Sequence, residues 1–313
     1  RIIPTQPSYS KSTPDDQMVF VMDEQYYNTD ALENTELFST EILGVMRGAR
    51  MGRIEIRPYR YNPVENTLVI YNNLDFTVNF IGADLATTEE MKSKYYCHEF
   101  DGSYGAMINF QAPMAKDAFS NYNAPIKYVL VANTAFQSTL QPFVQWKTKM
   151  GYEVIEYYVA TGTANTAIKT YIEGLYDAGT SSDPAPLYLL IIGDHSGTYS
   201  IPAFASKLTS STYNQHITDV YFATFDGTTD YLPDMYYGRI SAESTTELQN
   251  ALNKILPYEQ YTIPSGTFLN NCQMISGVDA TNAHIYGDSQ ILYGLNNYYN
   301  TAKGFTNIWA FFY

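Results

Sequence analysis

Cysteine is nearly missing from this chain. Only Cys97 and Cys272 occur among 313 residues, too few for a disulfide framework or, by themselves, a zinc site. The redox compartment stays open, and so does a bond between the two. Positive charge is also sparse: 18 Lys and Arg face 32 Asp and Glu, a formal net charge of −14. That balance argues against a nucleic-acid partner, which needs a basic face, and disfavours anionic membranes. No run of about 18 apolar residues occurs, so no membrane span is expected. The stretch ATGTANT (160–166) has two glycines but neither the GxGxxG nor the GxxxxGKS/T pattern, which makes a nucleotide site improbable. Internal repeats and low-complexity tracts are absent as well.

What remains is a globular composition, 45% hydrophobic and 16% charged, of a length that suits two or three domains. Thirty tyrosines suit strands and half-wet surfaces, and point to a sheet-rich extracellular protein. The sequence starts at Arg1 with no methionine and no signal-peptide pattern, and ends on the apolar run IWAFFY. Both ends read as cut.

Two textures follow one another. Up to about residue 115, short alternating stretches predict an antiparallel β module: RIEIRPYRY (53–61), NTLVIYNN (66–73) and DFTVNFIGAD (75–84), with Asn72-Asn73 as a turn and the glycines of MRGARMGR (46–53) at a turn or bulge. Residues 86–123 are polar, TTEEMKSKYY leading to QAPMAKDAFSNYNAP, and that second piece shows no clear period and reads as a linker. Beyond them strands and helices alternate. IKYVLVA (126–132), YEVIEYY (152–158), LYLLIIG (187–193), MYYGRIS (235–241), NCQMISGV (271–278) and TNIWAFFY (306–313) read as strands. Helices are expected over 136–151, over 165–179, around Leu248–Leu256 with Pro257 as the stop, and near 285–299. The pattern predicts a doubly wound, mostly parallel α/β sheet.

In such sheets ligands gather beyond the carboxyl ends of the strands. Asp194 in LLIIGDHSG and Asp279 in MISGVDAT are placed there; each also suits a plain capping role at a strand-end turn. FDGTTDYLPDMYYGRI (225–240) brings Asp226, Asp230 and Asp234 into nine residues. With Asp194 they form a candidate cage of hard oxygens for calcium, Leu232 offering its carbonyl; the spacing is not that of an EF-hand, and a solvated acidic loop is the plain alternative. His195 beside Asp194 invites a catalytic reading, but neither Cys272, inside an apolar strand, nor Cys97, beside His98 in the other texture, makes a persuasive nucleophile for it.

The chain resembles the zymogens of the gingipain-type cysteine endopeptidases, most nearly the lysine-specific kind. In the first texture the likeness rests on QPSYSKS (6–12), LGVMRGAR (43–50) and NTLVIYNNLDFTVNFIGAD (66–84). In the second it rests on IIGD, TDVYFATFDGTTDYLPDMYYGRIS (218–241), LPYEQYTIP (256–264) and ISGVDA (275–280). The resemblance implies a caspase-like three-layer α/β/α catalytic domain behind a β prodomain, divided here as 1–116, 117–266 and an incomplete 267–313. It implies structural calcium on Asp194, Asp226, Asp230, Asp234 and the Leu232 carbonyl, with Thr228 and Thr229 looking inserted before Asp230. It implies a catalytic triad whose aspartate matches Asp279 and whose histidine, followed by glycine, and cysteine have no match in this chain: His98, His195, His216 and His284 are followed by Glu, Ser, Ile and Ile. As given, the chain is therefore expected to be inactive, with the remaining carboxy-terminal part of the protein as its partner.

The resemblance further implies cleavage between Lys116 and Asp117, a prodomain that covers the active-site face until then, protein or peptide substrates cut after a basic residue, and a secreted or cell-surface bacterial protein. Two other readings stay open: a non-catalytic secreted calcium-binding module, and a small-molecule α/β enzyme using Asp194 and Asp279 directly.

Overall fold

The computed structural model describes residues 1–9, 14–111, 124–205, 216–228, 230–277 and 282–312. In chain order its main elements begin with β1 (Phe38–Met46), β2 (Ala49–Ile56), β3 (Tyr59–Asn62), β4 (Thr67–Ile70) and α1 (Leu85–Tyr95). They continue with β5 (Lys127–Asn133), α2 (Gln137–Lys149), β6 (Glu153–Val159), α3 (Asn165–Asp177), β7 (Tyr188–Ile192), β8 (Tyr236–Ile240) and α4 (Thr245–Glu259). The last three are β9 (Asn271–Ile275), α5 (Asp288–Asn297) and β10 (Asn307–Phe311). They fall into two compact units. One holds Phe38–Ile56 and Phe76–Glu259; the other holds Arg1–Leu37, Arg57–Asp75 and Gln260–Tyr313.

The larger unit is built on a four-stranded, all-parallel sheet of order β8-β7-β5-β6. Its two central strands, β5 and β7, read as apolar runs because both their faces are covered. Val129 and Val131 of β5 point to one face, where Ile168 and Ile172 of α3 pack on them. Leu130 and Ala132 point to the other, against Leu140 and Phe143 of α2 and Leu248 and Leu252 of α4. All but Phe143 of these side chains are wholly buried. The expected doubly wound three-layer α/β/α arrangement is thus present.

Pro257 does not end α4, which runs on to Glu259. The ring removes one ladder donor near the helix end. The last turn is held instead by tertiary bonds: the Glu259 carboxylate accepts from Lys147 Nζ at 2.9 Å and Trp146 Nε1 at 2.8 Å.

Also in this unit, β1 and β2 form an antiparallel hairpin with a bulge between Ile42 and Gly44. Residues 76–80 alternate but form no strand; Phe76, Val78 and Phe80 are exposed, and alternation without a pairing partner does not make a ladder. The polar stretch ahead of the expected linker begins with a helix. Asp84 caps α1 by accepting from Thr87 N–H at 3.0 Å, and Tyr95 at its far end stacks on Tyr176 with ring centroids 4.7 Å apart. The helix was illegible because its middle, TTEEMKSK, has no apolar stripe.

In the smaller unit β3 pairs antiparallel with β4, and β9 pairs parallel with β10. The expected single strand over 53–61 is cut at Arg57-Pro58, since proline cannot donate to a ladder.

Candidate functional site

The acidic run lies just before β8. Its chain is folded back on its own carboxylates by main-chain donors. Asp230 Oδ1 accepts from Leu232 N–H at 2.9 Å and Oδ2 from Asp226 N–H at 3.2 Å. Asp234 Oδ2 accepts from Phe225 N–H at 3.2 Å, and Oδ1 from the N–H of Arg47 at the tip of the β1–β2 hairpin. Asp234 N–H in turn donates to Ala223 O at 2.7 Å. The result gathers oxygens of Asp226, Asp230 and Asp234 within 4.8 Å of one another, Asp226 at the exposed rim and the other two buried.

Burial pushes the Asp234 carboxyl up to about 7; the Arg47 N–H opposes that, and the neighbouring Asp226 and Asp230 add to it. Asp226 is raised as well, by partial desolvation and then by Asp230. Carboxylates gathered this closely repel one another, and a counter-charge beside them relieves that. The donors gathered here are all carboxylate oxygens, which suit a hard divalent cation such as calcium and not a soft one. The residues present therefore fit the expected ion.

Asp194 does not join them. β7 and β8 run parallel in the register Tyr188↔Tyr236 to Ile192↔Ile240. Asp234 stands before the start of β8 and Asp194 after the end of β7, so the strand and its flanks separate them, on the order of 25 Å. The four-carboxylate cage fails on this register. Asp194 stays at the carboxyl edge, where its Oδ1 accepts from His195 N–H at 2.6 Å and lies 3.4 Å from Ser241 Oγ. His195 is exposed beside it.

The same edge is braced by Arg239, which grips Asp219 at 2.6 and 2.7 Å and donates to Gly193 O and Ile201 O. Nothing in the sequence singled that pair out. Gly193 has φ +128°, and a Cβ there would sit 2.6 Å from Tyr199 O. Gly193→Ala is expected to destabilise the protein by about 2–3 kcal/mol, read as a lower midpoint in urea, because backbone must shift at a strained position.

Asp279, Lys116 and Asp117 lie outside the described residues. Both cysteines are free thiols; burial pushes the Cys97 thiol up, the opposite of what a thiolate nucleophile needs. The residue that sequence reasoning missed is Arg47. It is 2% exposed, and its guanidinium donates to Asp234 O at 2.8 Å, Pro186 O at 3.0 Å and Ala185 O at 3.1 Å. Among the described residues no helix is long and apolar enough to cross a membrane.

Residues 121–311 match the model of peptidase family C25, and residues 1–117 match that of the C25 propeptide. The chain is 32% identical over 318 aligned residues to Lys-gingipain W83 of Porphyromonas gingivalis, covering 99% of this chain and 17% of that protein. It is 23% identical over 295 residues to gingipain R2 of the same species, covering 93% and 38%. A solved structure described only as a protease is 32% identical, covering 61% of this chain and 41% of its own, with a TM-score of 0.48. The chain thus spans under a fifth of the Lys-gingipain it matches. With its propeptide match followed directly by a peptidase match over more than half its length, the chain belongs to peptidase family C25.

Proposed function

We propose that the full-length protein is a secreted or cell-surface cysteine endopeptidase, made as a zymogen and cutting protein substrates after lysine. The observation that carries this reading is the order of the two family matches, propeptide over 1–117 and peptidase over 121–311, with Lys116-Asp117 at the junction. The higher identity to a Lys-gingipain than to gingipain R2 favours lysine over arginine. Residues 1–116 are the prodomain, 117–266 the first catalytic subdomain, and 267–313 the start of the second.

The nucleophilic cysteine and its histidine come from the rest of the protein. The thiolate attacks the peptide carbonyl and the histidine protonates the leaving amine. Asp279 accepts from the imidazole, orienting it and stabilising its charged form. Asp226, Asp230, Asp234 and the Leu232 carbonyl hold calcium, which supplies no chemistry to the reaction. It neutralises the acidic loop at the amino end of β8.

The full-length protein should hydrolyse lysyl peptides faster than otherwise identical arginyl peptides, and a thiol alkylator should abolish both activities. Absence of any alkylator-sensitive cleavage would leave the non-catalytic module as the better reading. Lys116→Ala should leave the precursor uncut and latent on a denaturing gel; normal maturation of that variant would remove Lys116 as the processing site.

A further inference from the structure

The tip of the β1–β2 hairpin breaks a local rule. Its loop is two residues long, Arg47 and Gly48, between the paired residues Met46 and Ala49. Both loop residues have positive φ, 45° and 77°, the primed-turn pattern for which Asn-Gly or Asp-Gly is the favoured sequence. An arginine in left-handed backbone is strained, and such strain persists where surrounding contacts over-determine it. Here those contacts are plain. The guanidinium fork meets three main-chain carbonyls, of Ala185, Pro186 and Asp234. It lies 5.3 Å from the centre of the Phe100 ring and 5.7 Å from that of Tyr176, within the range in which rings attract a cation. Tyr104 Oη donates back to Arg47 O at 3.1 Å. A planar five-donor group is what a set of divergent carbonyls can accept; a lysine would reach one or two of them.

The cradle's place in the fold matters as well. Ala185, Pro186 and Asp234 lie two or three residues before β7 and β8, so Arg47 enters at the amino edge of the parallel sheet. Neighbouring contacts use that edge too. Met46, Ala49, Phe100 and Tyr104 cluster with Leu187, Lys94 Nζ donates to Asp177 O at 3.0 Å, and Tyr236 Oη donates to Glu99 O at 2.8 Å. Residues 38–56 and 84–110 therefore grip the sheet by its amino edge, whereas ligands of such sheets collect at the carboxyl edge.

We infer that the carbonyls of Ala185, Pro186 and Asp234, with the face of Tyr176, form a guanidinium-binding cradle whose ligand is Arg47, and that this is the anchor holding residues 1–116 on the catalytic body after the chain between them is cut. The inference rests on the prodomain reading above. It makes removal of the prodomain a second event after cleavage, set by how fast a buried arginine bonded to three carbonyls leaves.

The test uses the full-length precursor with a site for an unrelated protease placed within 117–123, so that nicking does not depend on self-processing. Dissociation of the nicked fragment is followed by size exclusion after dilution. The parent is expected to stay together. Arg47→Asn, which suits the turn better but lacks the guanidinium, should release its fragment about a hundredfold faster or more, the scale for losing one partner of a buried charged contact. Arg47→Lys should fall between. Arg53→Ala, which loses only the exposed pair with Glu41, should behave as the parent. Release of Arg47→Asn at the parent's rate overturns the anchor. Should Arg47→Asn yield no folded precursor, Arg47→Lys decides, and release at the parent's rate overturns it equally. A precursor that stays uncut without the added site, yet shows these rates with it, would instead count against self-processing alone.

Discussion

Removing divalent cations at pH 7.5 is expected to lower the melting temperature by roughly 10 °C, and millimolar calcium should restore it. The magnitude follows from linkage: a ligand held at about a hundred to a thousand times its dissociation constant adds about 3–4 kcal/mol, and each kcal/mol moves the midpoint by about 2–4 °C in a protein of this size class. The cause is the buried pair Asp230 and Asp234 with Asp226 at the rim.

The sign of the pH dependence is set by Asp234. Without a cation the folded state keeps that proton up to about pH 7, against 3.8 for an ordinary aspartate. Between about pH 4 and 7 the folded state therefore binds more protons than the unfolded chain, so stability of the stripped protein falls as pH rises through this window. Below it both states are protonated and the penalty vanishes. A shift of this size corresponds to on the order of 4 kcal/mol at most. The cation needs the ionised form, so the stabilisation by calcium should be large at pH 7.5 and small at pH 5. Equal melting curves with and without chelator at pH 7.5 would take calcium out of the account. An equal gain at both pH values would mean the ion sits elsewhere.

In the full-length protein Asp279→Asn is expected to lower kcat by about 10³–10⁴, with KM nearly unchanged and the melting temperature close to that of the parent. The mechanism is loss of orientation and charge stabilisation at the imidazole, for which effects of this size are typical. A residue of purely structural importance would instead move the melting temperature and leave the pH profile of kcat alone. His195→Ala serves as the contrast. Its side chain is exposed at the carboxyl edge of the sheet and has no part in the proposed triad, so its kcat should stay within a few-fold. A full loss in His195→Ala together with an active Asp279→Asn would reverse the assignment and revive the reading in which the Asp194 region does the chemistry.

The two regions differ in how much of them could be read beforehand. The sheet was legible because its strands are buried on both faces: a run such as YVLVA or LYLLII has few other stable uses. The helices α2 and α3 followed from their apolar stripes. Asp226, Asp230 and Asp234 were legible as a group because the loop that joins them is short, and backbone N–H groups close it locally. α1 was missed because its exposed middle carries no period. The strand expected over 75–84 was wrong because alternation says nothing about whether a partner strand exists.

The sequence by itself determined the alternation of strands and helices, the local acidic loop, and the family to which the chain belongs, since these rest on neighbours along the chain and on motif order. Tertiary structure alone decided which residues distant in sequence share an edge of the sheet. The parallel register of β7 and β8 sends Asp194 to one end and Asp234 to the other, which breaks the cage the spacing suggested. The same register leaves the carbonyls before β7 and β8 side by side, and a hairpin from far upstream fills them with Arg47. Periodicity reports which face of an element is buried. It carries no information about how far one strand is slid past another, and that slide set the site.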